Sequence, residues 1–206
     1  RDNYSYMWPR DGALVALALD KAGYRELTKS FFQFCSQVVG PSGVLLHKYN
    51  PDGTPGSTWH PWYDKDVGKV VAIQEDETAL VLFSLWKHYK EHQDLDFVNK
   101  LYRKFIYPAS DFLEDFRLDN GLPKPSYDLW EERRGILTFT CSAVYAGLIA
   151  ASNFAHMFGS EEREKKFKKA AKEVKRGMIN HLYDEESKRF MRMINFRKDG
   201  TVEKDK

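Results

Sequence analysis

Ala13-Leu14-Val15-Ala16-Leu17-Ala18-Leu19 is a run of small and apolar residues with no polar position on any side. Residues 79–83 and 143–151 have the same character. A helix that is apolar all round is normally one enclosed on all sides, because any exposed face would favour polar residues. These three segments therefore predict three inner helices.

Six helical patterns run along the chain, and they alternate in character. The first, third and fifth contain the apolar segments, whereas the second, fourth and sixth are amphipathic. The patterns cover residues 11–22, 24–39, 75–91, 95–116, 138–158 and 160–183. Pro108 is expected to kink or divide the fourth, since proline has no N–H to donate. This alternation predicts an all-α fold of helical hairpins in two concentric layers.

Composition excludes several classes of protein. The 206 residues are 42% hydrophobic, enough for one domain with a sizeable core, and the net charge of +2 does not indicate a nucleic-acid partner. No apolar run approaches the roughly 18 residues of a membrane span. Cys35 and Cys141 are far apart in sequence and predict neither a disulfide framework nor a metal cluster.

Both ends of the chain suggest a piece of a longer protein. It opens without a methionine on a dense aromatic segment, and it ends shortly after a predicted turn at Asp199-Gly200. We therefore treat residues 1–206 as one partial domain, truncated at both ends. The compartment in which the protein works stays undecided.

Four of the five tryptophans precede an inner helix: Trp8, Trp59, Trp62 and Trp130. The links from amphipathic to apolar helices are long, residues 40–72 and 117–137, whereas the opposite links are tight. If the inner helices run parallel, the long links meet on one face. Long loops on a rigid scaffold commonly carry function, so this face is the expected site.

Trp8-Pro9-Arg10-Asp11 introduces the first inner helix. Asp11 fits a helix N-cap, which is the alternative to a functional role. Arg10 requires an acceptor, because a guanidinium beside a buried helix start cannot remain unpaired. An Arg-Asp pair beside an indole suits a sugar, whose hydroxyls bind charged groups and whose C–H face stacks on the ring.

Tyr127-Asp128-Leu129-Trp130-Glu131-Glu132 places two carboxylates beside an indole, before the fifth helix. A solvated Glu pair at a helix start is the simpler explanation. In a concave, partly dry site, however, such a carboxyl keeps its proton near neutral pH and acts as a general acid. The acids at residues 75–77 are explained by the helix dipole.

The sequence shows no phosphate-binding glycine loop and no zinc-ligand spacing, so we expect no cofactor and no metal. Carboxylates and tryptophans gathered on one face suit glycoside hydrolysis, which uses two carboxyl groups.

Residues 3–12 and 127–132 together resemble the glucoamylase family, glycoside hydrolase family 15. The resemblance covers nearly the whole chain but only about the N-terminal half of the family's catalytic domain, an (α/α)6 barrel. It implies that Glu131 is the general acid. It also implies a set of sugar-contacting residues around that acid: Tyr4, Trp8, Arg10, Asp11, Asp128, Trp130 and Glu132.

The resemblance implies an inverting enzyme that releases glucose from the non-reducing end of α-glucans. The family's general base comes from the other half of the barrel, so that half is an expected partner and residues 1–206 alone are expected to be inactive. Three alternatives stay open: a trehalase, an α-1,6-glucan hydrolase acting on dextran or isomaltose, and a non-catalytic glucan-binding or regulatory relative.

Overall fold

The structure is a computed structural model that describes residues 5–58, 63–64, 68–69, 73–197 and 199–205, with the backbone alone at 63–64 and 68–69. Seven α-helices dominate it: α1 (Pro9–Lys21), α2 (Arg25–Val38), α3 (Glu75–His92), α4 (Leu95–Leu101), α5 (Tyr107–Asp115), α6 (Thr138–Met157) and α7 (Glu161–His181). None of the helices in these ranges is long and apolar enough to cross a membrane.

The six predicted helical patterns are confirmed, with the fourth divided in two. Between α4 and α5 lies one π-helical segment, Tyr102–Ile106, at whose end Tyr107 N–H donates to the carbonyl of Tyr102. Pro108 stands in the first turn of α5. Since proline removes a backbone donor and its ring crowds the carbonyl four residues earlier, the wider π turn accommodates it.

The helices form two layers. α3 packs against both α1 and α6, while α2 covers α1, α7 covers α6, and α5 contacts α3 and α6. Every residue from 75 to 82 is buried, as expected for the middle inner helix. The alternation of inner and outer helices is therefore confirmed, with α1, α3 and α6 as the inner layer.

Enclosure on all sides was predicted for every inner helix, and it is wrong for α1. Leu14 and Val15 are 49% and 55% exposed, and Asp11 and Ala18 are exposed on the same face. On α6, Phe139 is exposed as well. α3 has an inner neighbour on each side, whereas no described element covers these faces of α1 and α6.

Short strands supplement the helices and were not predicted. A four-stranded antiparallel sheet has the order β3-β4-β7-β8, and two hairpins, β1-β2 and β5-β6, stand apart from it. The strands are β1 (Tyr63–Asp64), β2 (Gly68–Lys69), β3 (Ser126–Tyr127), β4 (Arg134–Leu137), β5 (Tyr183–Asp184), β6 (Arg189–Phe190), β7 (Met193–Phe196) and β8 (Val202–Asp205). Segments of two to four residues are too short to show a two-residue alternation.

The sheet sets the position of the segment that contains Glu131. β3 and β4 form a hairpin whose loop is residues 128–133, and β4 leads directly into α6. The predicted turn at Asp199-Gly200 is confirmed between β7 and β8, where Thr201 N–H donates to Asp199 Oδ1 at 2.9 Å. Cys35 and Cys141 are buried and free.

Candidate active site

Arg10 lies where the N-terminal ends of α1 and α3 meet. Its Nη1 donates to Gln74 Oε1 at 2.8 Å and to Asp76 Oδ2 at 2.9 Å, and it lies 2.8 Å from Glu77 Oε1. The side chain is buried, so the acceptors that the sequence analysis required are these groups on α3. All hydrogen bonds of the guanidinium to described residues come from Nη1.

Asp11 follows in the first turn of α1 and does not cap it. The N-cap is Trp8, which makes no side-chain capping bond, and Pro9 occupies the first helical position. The Asp11 side chain is 66% exposed, with Oδ2 3.8 Å from Arg10 Nε. The N-cap interpretation is therefore wrong, and the carboxylate is open to solvent beside Arg10.

Gln74 connects this network to the loop at residues 128–133. Its Oε1 accepts from Arg10, and its Nε2 donates to the main-chain carbonyl of Asp128 at 2.6 Å. One buried amide thus contacts both segments that the sequence analysis singled out, which lie more than a hundred residues apart.

Asp128 organises that loop through its main chain and its carboxylate. Its Oδ1 accepts from the backbone N–H groups of Glu132 and Arg133 at 2.9 and 3.2 Å. Its carbonyl accepts from the N–H of Glu131 at 3.0 Å. These bonds close a tight turn and leave the Asp128 side chain engaged with the backbone.

Glu131 stands at the tip of the turn in a left-handed conformation, with φ of 60°. A non-glycine residue there costs about 1–3 kcal/mol and is characteristic of functional sites. The conformation turns the side chain inward, so that it is only 9% exposed. Glu131 Oε1 lies 3.2 Å from His47 Nε2, and Thr58 Oγ1 donates to Oε2 at 2.9 Å.

Trp130 and Glu132 point the other way. Trp130 is 79% exposed, so its indole does not shield Glu131 from water as the sequence analysis assumed. His47 and Thr58 are the described side chains in contact with the Glu131 carboxyl. Glu132 is exposed, and its side chain is open to solvent.

Aromatic residues line the approach to α1. Trp8 is half-buried and packs edge to face on Tyr6, with ring centroids 5.7 Å apart. Lys48 Nζ lies 4.7 Å from the Tyr6 ring centre and 5.8 Å from that of Trp8. Tyr4 and residues 59–62, which include two further tryptophans, lie outside the described residues.

The helix dipole alone does not account for the acids at the start of α3. Glu75, Asp76 and Glu77 are all buried. Burial raises the pKa of Glu75 to about 8, against a weaker effect of the nearby Ser126 hydroxyl. Burial likewise raises the pKa of Asp76 and Glu77, although Arg10 opposes it. Whether each of these carboxyl groups is ionised therefore depends on its contacts with Arg10 and with the neighbouring acids.

Arg10 itself stays charged. Desolvation lowers its pKa, but Glu77 and Asp76 outweigh that effect, and the net shift is upward. One guanidinium thus faces two buried carboxyl groups at the base of the site.

Sequence reasoning missed three contributors to this site. Gln74, His47 and Thr58 were given no role. His47 and Thr58 stand in the long link that was expected to carry function, which is the only signal that could have indicated them. Their contact with Glu131 spans more than seventy residues, and no local pattern encodes such a distance.

The profile of the family described as glycosyl hydrolases family 15 matches residues 2–205. The chain belongs to this family. Its curated relatives include an uncharacterized glycosyl hydrolase of Methanocaldococcus jannaschii, 31% identical over 193 residues, which cover 94% of this chain and 29% of that protein. Trehalase 2 of Sulfolobus acidocaldarius is 26% identical, over 87% of this chain and 33% of its own length. The chain thus spans about a third of these relatives.

Solved structures confirm the fold. A bacterial glucoamylase complexed with acarbose superposes with a TM-score of 0.74 at 20% identity, covering 100% of this chain and 29% of its own. A wild-type glycosidase gives a TM-score of 0.64 at 23% identity, covering 87% and 49%. The predicted (α/α)6 class is therefore confirmed, with the described helices forming part of that barrel.

Proposed function

We propose that the full-length protein containing this chain is an inverting, exo-acting glycoside hydrolase that releases glucose from the non-reducing ends of α-glucans. The observation that carries the proposal is the inward-turned carboxyl of Glu131. It is held by His47 and Thr58 in a loop that Gln74 ties to Arg10. A sheltered carboxyl in a loop that is tied to the segment bearing Trp8 and the exposed Asp11 suits the protonation of a glycosidic oxygen.

Glu131 is the general acid in this mechanism. Its proton passes to the glycosidic oxygen as the bond from that oxygen to the anomeric carbon breaks. A water molecule attacks the opposite face of the sugar and gives its proton to a second carboxylate. Inversion requires the two carboxyl groups to stand about 6.5–9.5 Å apart, which leaves room for the water. The second carboxylate is proposed to come from outside residues 1–206.

The residues around the acid supply the sugar contacts. Among the described residues, the groups at the start of α3 contact Arg10 through Nη1, so Nη2 is proposed to bind a sugar hydroxyl, and the Asp11 carboxylate is exposed beside it. Trp8 and Tyr4 are proposed to line the same subsite. The remaining contacts are assigned to the loop residues Asp128, Trp130 and Glu132.

A trehalase is the second candidate, because one curated relative is a trehalase that aligns across most of this chain. Both activities use the same acid and the same grip on a glucose unit. An α-1,6-glucan hydrolase differs from them in the leaving group alone. A non-catalytic glucan-binding relative would keep Glu131 without turnover.

The full-length protein should be incubated with maltose, isomaltose, dextran and trehalose while the anomer released is followed by NMR. Inversion gives β-glucose from the α-glucans, and one α- and one β-glucose from trehalose. Glu131→Gln should lower kcat by orders of magnitude and largely spare ground-state binding. Glu162→Gln, on the exposed start of α7, serves as the control.

Two outcomes would contradict this assignment. If the non-reducing glucose unit is released as the α anomer, inversion is excluded, and full activity of Glu131→Gln would exclude that residue as the acid. Binding without turnover of any of the four substrates would favour the non-catalytic relative. Residues 1–206 alone are expected to release no glucose.

A further inference from the structure

A compact cluster of Asp20, His88 and His92 lies at the opposite end of the inner helices from Arg10. Asp20 Oδ1 is 2.9 Å from His88 Nδ1 and 3.2 Å from His92 Nε2. One ligand atom from each of the three residues lies within 4.8 Å of the others. Asp20 is in the last turn of α1, about 15 Å along the helix from Arg10 at 1.5 Å per residue.

The surroundings of the cluster favour the binding of a positive charge. Asp20 is a buried carboxylate, and within the described ranges its ion-pair partners are the two imidazoles alone. α1 and α3 both end here, and the C-terminal end of a helix carries partial negative charge. The neighbouring basic residues Arg25 and Lys29 pair with Asp94 instead.

We propose that this cluster binds Zn²⁺. His88 and His92 stand four residues apart on one face of α3, and Asp20 reaches across from α1. A tetrahedral zinc ion at about 2.0–2.2 Å from each ligand needs its ligand atoms roughly 3.4 Å apart. The two distances from Asp20 Oδ1 to the imidazole nitrogens, 2.9 and 3.2 Å, are a few tenths of an ångström shorter, and the two nitrogens lie within 4.8 Å of each other. His92 is 16% exposed, which leaves the fourth position open to water.

The ligand types select among metals. Two imidazoles and one carboxylate suit zinc, whereas Mg²⁺ and Ca²⁺ require mostly oxygen ligands. Coordination through His88 Nδ1 places the ring proton on Nε2, which has no acceptor in the described part of the chain. A metal with strong affinity for imidazole is therefore needed to offset that buried donor.

The proposed ion joins the C-terminal ends of the first two inner helices. It lies at the opposite end of α1 from Arg10, about 15 Å along the helix, so we assign it to stabilising the barrel and not to the reaction. Sequence analysis predicted no metal, because the carboxylate comes from a helix 68 residues away from His88. The His88…His92 spacing within a predicted helix was the available signal.

The test uses full-length protein freed of metal with a chelator and titrated with ZnCl₂ by calorimetry, with thermal unfolding followed in parallel. We expect one zinc ion to bind through this cluster and to raise the unfolding temperature. His92→Gln should weaken that binding roughly 100-fold or more, since even outer-shell changes cost up to that factor. His156→Gln, at an exposed histidine on α6, is the matched control and should bind like the wild type.

Asp20→Asn provides a second variant, with circular dichroism in the absence of zinc to verify folding. Cobalt(II) replacing zinc should give the visible absorption of a tetrahedral site in the wild type and lose it in both variants. The proposal is overturned if the wild type shows no saturable zinc binding. Equal affinity of His92→Gln and His156→Gln would also overturn it, because the imidazoles would then serve only as proton-bearing partners of Asp20.

Discussion

The side-chain amide of Gln74 donates to the main-chain carbonyl of Asp128 at 2.6 Å. Because its oxygen accepts from Arg10, this amide connects the start of α1 with the loop that carries Glu131. The position of the acid relative to the proposed sugar-binding arginine therefore depends on a residue that contributes no charge.

Gln74→Ala should uncouple these two segments. Displacement of a catalytic group by about 1 Å can cost roughly 100-fold in rate, so we expect kcat/KM to fall by about that factor. Steady-state kinetics of the full-length enzyme measure the change. Gln33→Ala, an exposed glutamine on α2, should leave kcat/KM unchanged. Wild-type kinetics in Gln74→Ala would show that the bridge does not position the loop.

Arg10→Ala should destabilise the protein as well as weaken binding and rate. It removes the cation from Asp76 and Glu77, both buried, and breaking a buried pair costs about 3–5 kcal/mol in free energy of unfolding. Adding Glu77→Gln should restore part of that loss. Urea unfolding of both single variants and of the double variant measures the coupling.

Lys21→Ala breaks an exposed ion pair with Glu91 and is the control, and it should leave stability nearly unchanged because water screens that pair. If the effects of Arg10→Ala and Glu77→Gln simply add, to within about 0.5 kcal/mol, the two residues are not coupled and the prediction is wrong.

Glu75 should make stability depend on pH. Its pKa is about 8 in the folded chain against an ordinary value of 4.5. Between these values the unfolded chain releases a proton that the folded chain retains. The stability contributed by this group is therefore complete below pH 4.5, and it falls by up to about 1.4 kcal/mol per pH unit until pH reaches the folded pKa.

Glu75→Gln removes this titration. Between pH 5 and 8 the free energy of unfolding of the variant should therefore fall less than that of the wild type, by on the order of 3 kcal/mol. Urea midpoints at several pH values provide the measurement, with Glu162→Gln as the exposed control. Parallel pH profiles for the wild type and Glu75→Gln would show that the carboxyl is ionised in the folded protein.

The backbone at Glu131 should be strained. At φ of 60° a side chain costs about 1–2 kcal/mol relative to glycine, so Glu131→Gly should be more stable than Glu131→Ala by about 1 kcal/mol. Ala18→Gly, on an exposed position of α1, should show the opposite sign, because glycine destabilises an ordinary helix by about 1 kcal/mol. Chemical denaturation of the three variants measures these differences. If Glu131→Gly is less stable than Glu131→Ala, the backbone at this position is not strained.

His47 should matter for catalysis through its contact with Glu131. His47→Ala removes one contact of the acid and should lower kcat by on the order of tenfold with a smaller effect on KM. His47→Gln retains a nitrogen within reach of the same oxygen and should recover part of the rate. Equal rates for the alanine and glutamine variants would indicate a packing role only.

The helices could be predicted because their signals are local. The apolar run at residues 13–19 lies within about two turns of one helix, and backbone hydrogen bonds in a helix span four residues. The strands could not be predicted, since β3 and β4 contain only two and four residues and depend on partners elsewhere in the chain.

The candidate site, too, could be predicted from the sequence only in part. Its two main segments were visible because each concentrates unusual residue types. The burial of residues 75–77, the exposure of Trp130 and the contact of His47 with Glu131 were not visible, because burial depends on which elements pack together.

The sequence by itself determined the helical periodicity, the alternation of layers and the residues able to do acid chemistry, since all three are properties of neighbouring side chains. Only the tertiary structure decided which of those residues meet. It brought Gln74 to Asp128, turned Glu131 inward at a strained backbone position, and left Leu14 and Val15 of an inner helix exposed. Such contacts join residues tens of positions apart, and their energies depend on burial that no local pattern records.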